Sequence, residues 1–215
     1  MNIGFISGTG KEGKALAIRF GMHDHSIIIG SRSKEKSEKV VQEIKSIFPN
    51  INVKGMNYSE TASSSDIIFV ALPYQVVNDE LLTMKEELKD KIVVDTSVPM
   101  VFNQGKFNRD SNLMNSISEN LNISLPKTEI ISAFHTISHS ELNNVNKELD
   151  HDLLYFVNDN SAEEIFLNLI SSIKGLNPIK CGSLDLSILI ESQVPLLLNI
   201  NKAYRKSTSI KIKGL

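Results

Sequence analysis

The sequence is poor in cysteine and in long apolar runs. Its 215 residues contain one cysteine, Cys181, which excludes an internal disulfide framework and indicates a reducing compartment. No basic segment precedes an apolar run at the start of the chain, and no apolar run approaches the length of a membrane span. We therefore expect a cytoplasmic protein in which Cys181 is a small, buried or half-buried side chain.

Strong charge and internal repeats are also missing. The net charge of -2 gives no support to nucleic-acid or anionic-membrane binding as the main role. The length suits one core, or a nucleotide-binding domain with a small accessory part, and is too short for two full domains. Small molecules are therefore the expected ligands.

A glycine motif stands at the start of the chain. The apolar run Ile3 to Ile6 leads directly into Gly8-x-Gly10-x-x-Gly13, and a helical pattern follows. In such a motif the first glycine makes a tight turn, the second lets the backbone approach a pyrophosphate, and the third allows a helix to pack closely on a strand. The phosphates bind the free N–H groups at the helix N-terminus. The motif predicts a dinucleotide-binding unit.

The end of the second predicted strand bears on cofactor choice. The run 26–30 ends in Ser31-Arg32, and no carboxylate follows until Glu35. An acidic residue here would bind the ribose 2'-hydroxyl of NAD, whereas an arginine accommodates the 2'-phosphate of NADP. Lys34 and Lys36 add cations that would oppose the helix dipole if they only began a solvated helix. We therefore predict NADP rather than NAD.

Strand and helix patterns alternate along the chain. Six strand patterns separated by helical ones predict an α/β protein with a Rossmann-type, doubly wound, mostly parallel sheet and a small C-terminal helical part. The predicted strands are 3–6, 26–30, 52–55, 66–72, 91–95 and 129–134, with further candidates at 153–157 and 177–181. The predicted helices are 13–21, 34–48, 58–65, 76–88, 112–121 and 161–174, and 102–112 is left without an assignment. We divide the chain into an NADP-binding Rossmann domain, 1–182, and a C-terminal helical segment, 183–215.

The run 184–202 is strongly apolar and helical, and we expect Pro195 to interrupt it. A helix this apolar must be buried, and a subunit interface is the economical explanation. Glu191, Ser192 and Gln193 lie one turn ahead of the proline and could face either the interface or a cofactor pocket.

Several residues follow predicted strands at the edge where ligands bind an open parallel sheet. Tyr74, in the loop opened by Pro73, could stack on a cofactor ring or simply pack. His135 could bind a ligand or be a structural histidine satisfied by the backbone. His135 and His139 have the i, i+4 spacing of a metal pair, but no HExxH glutamate and no obvious third ligand accompany them, so we expect no metal.

The motifs taken together resemble a known family. The segments SGTGKEGKALAIRF, GSRSKEK, ALPYQ, VVDTSVP, SAFHTI, ESQVPLLLNI and IKIKGL are similar to those of the F420H2:NADP oxidoreductases, over essentially the full chain. The resemblance implies a Rossmann fold, a homodimer, and reversible hydride transfer between NADP(H) and the deazaflavin coenzyme F420.

The resemblance also implies roles for individual positions. The pyrophosphate and adenosine side falls on Thr9, Gly10, Lys11 and Glu12; the 2'-phosphate on Thr9, Ser31, Arg32 and Lys36; and the nicotinamide side on Leu72, Pro73 and Val98. The deazaflavin pocket falls on His135, Ile137, Ser192 and Val194. His135 and Ser192 are expected to position the reactants. Val194 stands where the family often has threonine, which removes one possible hydrogen bond worth about 1 kcal/mol.

Other functions remain open at this stage. One is an NADPH-dependent reductase of another acceptor, such as a flavin, a ferric chelate or a cyclic imine, although pyrroline-carboxylate reductases need a longer helical C-terminal domain. Another is a non-catalytic NADP sensor. No catalytic triad or paired-carboxylate motif is present, which agrees with hydride transfer between two coenzymes.

Overall fold

The computed structural model describes residues 1–158 and 160–215. The strands are β1 Asn2–Ile6, β2 Ser26–Ser31, β3 Val53–Asn57, β4 Ile67–Val70, β5 Ile92–Asp95, β6 Met100–Asn103, β7 Lys106–Arg109, β8 Glu129–Ser132, β9 His151–Val157 and β10 Leu176–Gly182. The α-helices are α1 Lys11–Gly21, α2 Lys34–Ile47, α3 Tyr58–Ser64, α4 Tyr74–Leu82, α5 Ile117–Ser124, α6 His139–Asn143, α7 Asn160–Ile170 and α8 Ile188–Tyr204, and a 3-10 turn spans Leu184–Leu186.

Eight strands form one sheet in the order β10-β9-β8-β5-β4-β1-β2-β3. All neighbours pair in parallel except β8 and β9, which are antiparallel. The strand order reverses between β1 and β4, and ligands bind open α/β sheets at such a point, beside the carboxyl ends of the strands. The predicted doubly wound, mostly parallel sheet with a C-terminal helix is confirmed.

Apolar residues cover both faces of the sheet, which explains the uniformly apolar strands. On one face Phe5 stacks on Phe69 with ring centroids 5.3 Å apart, and Phe134 meets Phe69 edge-on at 5.7 Å. On the other face Ile6 and Val70 belong to a second buried cluster. Cys181 is half-buried in β10, as predicted.

The segment left unassigned in the sequence contains a hairpin. β6 and β7 pair in antiparallel register as a separate two-stranded sheet. The Asn199 side chain in α8 joins this hairpin, because its amide accepts from Phe107 N at 2.9 Å and donates to Phe107 O at 2.8 Å. The short helix α6 was also not predicted, and α4 ends at Leu82 rather than at residue 88.

The predicted interruption at Pro195 is wrong. Helix α8 runs unbroken through the proline. Proline has no N–H to donate to the carbonyl four residues earlier, so that one bond of the helix is missing at Glu191 O while the flanking turns continue. β10 ends at Gly182 and α8 follows the 3-10 turn, but the division into segments 1–182 and 183–215 stays a prediction.

No helix among the described residues is both long enough and apolar enough to cross a bilayer.

Candidate functional site

The glycine turn connects β1 to α1 at the carboxyl edge of the sheet. Ser7 begins it in the left-handed region, with φ 63°. Gly8 N then donates to Phe5 O at 3.0 Å and Gly30 O at 3.1 Å, and Gly10 N donates to Ser7 O at 2.9 Å. The chain therefore reverses tightly against the ends of β1 and β2.

Packing constrains the three glycines unequally. A Cβ on Gly8 would lie 2.9 Å from Phe5 O, and one on Gly13 would lie 2.8 Å from Ser7 O. Both distances are too short for a carbon–oxygen contact with backbone. A Cβ on Gly10 would lie 3.3 Å from Ser7 O, which is a milder conflict. Packing within the protein explains why glycine is required at positions 8 and 13. The absence of a side chain at Gly10 instead leaves space for a ligand close to the backbone.

The turn ends in a helix N-terminus suited to a diphosphate. Gly10 is the N-cap of α1, which begins at Lys11. The first N–H groups of a helix have no partner within the helix, and its dipole favours an anion there. Thr9 is half-buried beside this turn and Lys11 is exposed. These residues fit the pyrophosphate of a dinucleotide.

The predicted 2'-phosphate residues lie at the end of β2 and the start of α2. Ser31 is buried as the last residue of β2, while Arg32 and Lys36 are exposed. Tyr58 lies close to Arg32 and hydrogen-bonds Ser7, so the arginine lies near the glycine turn. Exposed cations at this corner fit a phosphate rather than a bare ribose.

The two predicted nicotinamide loops are bound to each other. Ser97 Oγ donates to Leu72 O at 3.2 Å, and Thr96 Oγ1 donates to Val70 O at 3.1 Å. Val98 follows them and is half-buried, and Pro73 is exposed as the N-cap of α4.

The Tyr74 hydroxyl donates to Asp110 Oδ2 at 2.9 Å, which ties α4 to the end of the β6–β7 hairpin.

Asp95, His135 and Glu191 form a buried polar cluster beside these loops. Asp95 ends β5, His135 follows β8, and Glu191 lies in the first turn of α8. One ligand atom from each side chain lies within 4.8 Å of the other two. The sheet edge and the C-terminal helix therefore meet at this cluster.

Hydrogen bonds satisfy only part of the cluster. Asp95 Oδ1 accepts from Ser97 N at 3.0 Å and Oδ2 from Ser118 Oγ at 2.8 Å. Glu191 Oε1 accepts from Ile117 N at 2.7 Å. Within residues 1–158 and 160–215, Glu191 Oε2 and both ring nitrogens of His135 have no hydrogen-bond partner. The ring lies beside the Ser97 backbone, which opposes part of the effect of burial on its pKa. Both roles expected for His135, a ligand contact and a structural histidine, stay predictions.

Burial controls the protonation of the cluster. Desolvation raises the pKa of Glu191 to about 8, with a further contribution from the charge of Asp95, against the opposing effects of the Ile117 N–H and Arg109. Desolvation also raises the pKa of Asp95 to about 6, although Ser118 and Ser97 donate to it. It lowers the pKa of His135 to about 4. Burial therefore favours the un-ionised forms of both carboxyl groups and the neutral form of the imidazole.

Glu12 points toward the same cluster. Desolvation raises its pKa to about 7, the Thr96 hydroxyl opposes this by hydrogen bonding, and Asp95 adds repulsion. The side chain thus reaches from α1 toward the loop that follows β5.

The other residues predicted for the histidine pair and the deazaflavin pocket differ in exposure. His139 is exposed at the start of α6, and the metal-type cluster found in the described residues does not include it. Ser192 is exposed and its Oγ donates to Ile188 O at 2.7 Å, Val194 is half-buried, and Ile137 is buried. Of the three polar residues ahead of Pro195, namely Glu191, Ser192 and Gln193, Glu191 is the buried one. The sequence did not decide whether these residues face a subunit interface or a cofactor pocket. Asp95 was missed as a site residue, and its signal was a carboxylate at the end of an apolar strand.

The cluster has the residue types of a metal site. Histidine and two carboxylates are ligands for divalent cations. The sequence supplied no third ligand for His135, whereas the fold brings two carboxylates to it. The expectation that the protein holds no metal stays a prediction.

Sequence comparisons relate the chain to known proteins, over part of its length for the family model and over its full length for individual relatives. The family model described as NADP oxidoreductase, coenzyme F420-dependent, matches residues 2–99. The F420-dependent NADP reductase of Methanocaldococcus jannaschii is 33% identical to this chain, over 100% of this chain and 99% of the relative. That of Methanothermobacter thermautotrophicus is 32% identical, over 100% of this chain and 96% of the relative.

Solved structures agree on the fold. A crystal structure provisionally assigned as an F420-dependent NADP reductase from Arthrobacter sp. FB24 matches with a TM-score of 0.85 at 20% identity, over 99% of both chains. A pyrroline carboxylate reductase of Plasmodium falciparum matches with a TM-score of 0.61 at 14% identity, and only 66% of that longer chain is covered. From the full-length identity to its relatives, the chain belongs to the family of F420-dependent NADP reductases.

Proposed function

We propose that this protein catalyses reversible hydride transfer between NADP(H) and coenzyme F420, so that reduced F420 and NADP+ give oxidised F420 and NADPH. The observation that carries the proposal is the full-length similarity to relatives named F420-dependent NADP reductases. The meeting of a dinucleotide turn with a buried polar cluster at one sheet edge supports it.

The NADP half of the site consists of the glycine turn and the basic corner after β2. Gly8, Gly10 and Gly13 shape the turn, and the N-terminus of α1 binds the pyrophosphate. Arg32 and Lys36, with Ser31, bind the 2'-phosphate by charge-assisted hydrogen bonds. The loops that carry Leu72, Pro73 and Val98 hold the nicotinamide.

The deazaflavin half consists of His135, Ile137 and the first turns of α8 with Ser192 and Val194. The buried ring nitrogens of His135, which lack partners among the described residues, fit a polar ligand edge. When both coenzymes are bound, they supply the hydride chemistry. The protein aligns nicotinamide C4 with deazaflavin C5 and excludes water.

The assembly we propose is a homodimer formed through α8. Leu189 and Leu196 on this helix are 59% and 53% exposed, and Leu186 in the preceding turn is 41% exposed. Apolar side chains exposed in a row are typical of an interaction surface. We also propose a cytoplasmic location, in agreement with the single cysteine.

The test is spectrophotometric. Protein, NADPH and oxidised F420 are mixed, and the deazaflavin absorbance should bleach with NADPH oxidation and recover when excess NADP+ is added. Parallel reactions replace F420 with a flavin, a ferric chelate or a cyclic imine, or NADPH with NADH. Tight NADPH binding without any change in F420 absorbance would contradict the proposal and favour a sensor. Faster turnover of another acceptor would favour a different reductase.

A further inference from the structure

We propose that Ser116, Ile117 and Ser118, at the start of α5, position the two halves of the site relative to each other. These three residues are called the α5 bridge below. The inference rests on the proposed function, which places the nicotinamide beside the loop that carries Val98 and the deazaflavin beside the first turns of α8. The members of the bridge are positioning residues, because they act through the side chains and backbone that they hold.

Hydride transfer depends on the distance between the donor and acceptor carbons. Reacting atoms have to come within about 3 to 3.5 Å, and a misplacement of about 1 Å can slow a reaction on the order of 100-fold. The two proposed halves belong to different parts of the fold, since Val98 follows β5 of the sheet whereas Ser192 lies in α8, near the end of the chain. A structural connection between these parts is therefore needed to hold the distance.

On the NADP side, Ser118 holds the loop that follows β5. Its Oγ donates to Asp95 Oδ2 at 2.8 Å, and both residues are fully buried. The other carboxylate oxygen of Asp95 accepts from Ser97 N at 3.0 Å, which closes a turn at the start of the loop. Ser97 Oγ in turn donates to Leu72 O at 3.2 Å. Ser118 is therefore linked to both proposed nicotinamide loops.

On the deazaflavin side, the other two residues of the bridge hold the start of α8. Ile117 N donates to Glu191 Oε1 at 2.7 Å. The hydroxyls of Ser116 and Ser187 are hydrogen-bonded at 2.6 Å, and Ser187 is the N-cap of α8. Glu191 and both serines are fully buried. Because Ser192 follows Glu191 directly, these bonds fix the turn that carries a proposed deazaflavin residue.

The α5 bridge is itself well fixed. Ser116 is the N-cap of α5, and its Oγ accepts from Glu119 N at 3.0 Å, which stabilises the first turn of the helix. Ile117 is buried among the apolar side chains on one face of the sheet. The three residues are consecutive, so the spacing of their attachments to Asp95 and Glu191 is set by the geometry of a helix start.

A purely structural role is the alternative. The free N–H groups at a buried helix start need partners, and Glu191 supplies one for Ile117. Such a role predicts a loss of stability when a bond is removed, with hydride transfer unchanged in the protein that stays folded. Capping α5 requires neither the Ser118 hydroxyl nor Ser187, yet both are bound and buried. The meeting of both halves of the site on three consecutive residues favours the positioning role.

The first experiment tests the bridge without F420. Amide hydrogen exchange is measured in the wild type and in Ser118→Ala, which removes the donor to Asp95. Exchange should become faster in the loop 96–98 and also in the first turn of α8, 188–191, because the bridge holds both.

Ser65→Ala is the matched control. Ser65 is also a fully buried serine, its Oγ donates to Thr61 O at 2.6 Å, and it precedes β4 at the edge of the sheet opposite the ligand edge. This variant should leave exchange in both segments at the wild-type level. Unchanged exchange at 188–191 in Ser118→Ala, or the same change in Ser65→Ala, overturns the bridge.

The second experiment measures hydride transfer. In single-turnover reduction of F420 by NADPH, Ser118→Ala and Ser187→Ala should each slow transfer about 10- to 100-fold, with little change in the dissociation constant of either coenzyme. The isotope effect with NADPH deuterated at the transferred C4 position should depend more strongly on temperature, because the donor–acceptor distance is less well fixed. Ser118→Thr keeps the hydroxyl and should restore most of the rate, and Ser65→Ala should keep wild-type values.

The outcomes separate the bridge from the proposed function. Wild-type transfer rates in both Ser118→Ala and Ser187→Ala overturn the positioning role. So does a slower rate that is matched by weaker coenzyme binding or by an equal loss in Ser65→Ala, since lower stability then explains it. A wild type that never reduces F420 overturns the proposed function and the role of the bridge in transfer, and the exchange measurement still decides whether the bridge holds the two segments together.

Discussion

Glu191 accepts a 2.7 Å hydrogen bond from the backbone N–H of Ile117, the first residue of α5. This bond connects the C-terminal helix to a helix that covers the sheet. A carboxylate at a helix N-terminus is normally stabilised by the dipole and by such a bond. Here the full burial of Glu191 outweighs both effects, since the pKa rises to about 8 instead of falling. The bond therefore positions the side chain without ionising it.

The first prediction concerns stability at alkaline pH. A carboxyl group whose pKa rises from 4.5 to about 8 on folding binds its proton more tightly in the folded state. Its contribution is complete below pH 4.5 and is lost as pH rises through the folded pKa. The raised pKa values of Asp95 and Glu12, about 6 and 7, likewise lower the stability as pH rises through them. The lowered pKa of His135 has the opposite effect, so between about pH 4 and 6.5 it raises the stability as pH rises. Above pH 7, the titration of Glu191 therefore makes the largest contribution of this cluster to the pH dependence of the free energy of unfolding.

We therefore expect the free energy of unfolding of the wild type to fall by about 1 kcal/mol between pH 7 and 8 from this group. Glu191→Gln should flatten that slope, and Glu86→Gln, a matched change at an exposed glutamate, should leave it unchanged. Urea unfolding at pH 6.5, 7, 7.5 and 8 measures both. A slope that persists in Glu191→Gln would mean that another group titrates.

The second prediction concerns cofactor choice. Arg32→Glu places a carboxylate where we propose the 2'-phosphate binds, so the KM for NADPH should rise about 100-fold or more, corresponding to ~3 kcal/mol. The KM for NADH should change little or fall. Lys45→Glu makes the same charge reversal at the far end of α2 and should alter neither value strongly. An unchanged preference in Arg32→Glu would refute the assignment.

The third prediction separates packing from ligand approach in the glycine turn. Gly13→Ala brings a Cβ to 2.8 Å from Ser7 O and should lower both the melting temperature and NADPH affinity. Gly10→Ala meets its nearest atom at 3.3 Å, so it should weaken NADPH binding with a smaller loss of stability. Thermal unfolding and NADPH titration of the two variants check this. Equal losses of stability in the two variants would contradict this distinction, because they would show that packing restricts both positions to the same degree.

The fourth prediction concerns Arg19, which is 4% exposed in α1. Its guanidinium donates to four carbonyls around α6, those of Glu141, Leu142, Asn144 and Lys147, at 2.9 to 3.1 Å. Arg19→Lys cannot reproduce this planar set and should cost about 2 to 4 kcal/mol of stability. Arg205→Lys, at an exposed position, is the control. Chemical denaturation gives the difference, and a loss below about 0.5 kcal/mol would contradict the structural role.

The fifth prediction concerns assembly. Leu196→Glu places a charge on the exposed face of α8 and should convert the proposed dimer to a monomer in light scattering. Ile47→Glu changes a residue that is 68% exposed at the end of α2 and should leave the mass unchanged. A wild-type protein that is monomeric at micromolar concentration would contradict the dimer directly.

Local signals explain what the sequence could predict. The turn at Gly8 to Gly13 and the corner at Ser31-Arg32 are short segments whose geometry depends on neighbours in sequence, and the strands are apolar because both sheet faces are covered. The β6–β7 hairpin was not predicted because none of its residues is fully buried and its attachment, through Asn199, comes from a distant helix. Pro195 was judged from local propensity alone, whereas packing of α8 overrides the loss of one hydrogen bond.

The buried polar cluster could not be predicted from local sequence patterns. Asp95, His135 and Glu191 belong to three separate elements, and only the topology of the sheet and the return of α8 bring them together. The resemblance to the family implies a role for Ser192, which is adjacent in sequence to the buried Glu191. The hydrophobic periodicity of α8 does not show whether Glu191 or Ser192 is buried. That depends on which face of the helix packs against the rest of the protein.

The His135 ring nitrogens, buried without partners among the described residues, have a consequence for recognition. The imidazole loses its hydration when the chain folds, before any ligand arrives, so this part of the desolvation cost is carried by the folding equilibrium. A ligand that offers a donor or acceptor at this point gains a hydrogen bond in a dry, rigid setting and displaces no ordered shell from the ring. If His135 contacts the deazaflavin as we propose, this part of the site is preorganised, because the cost of desolvating the ring is met on folding and selectivity toward a polar ligand edge follows.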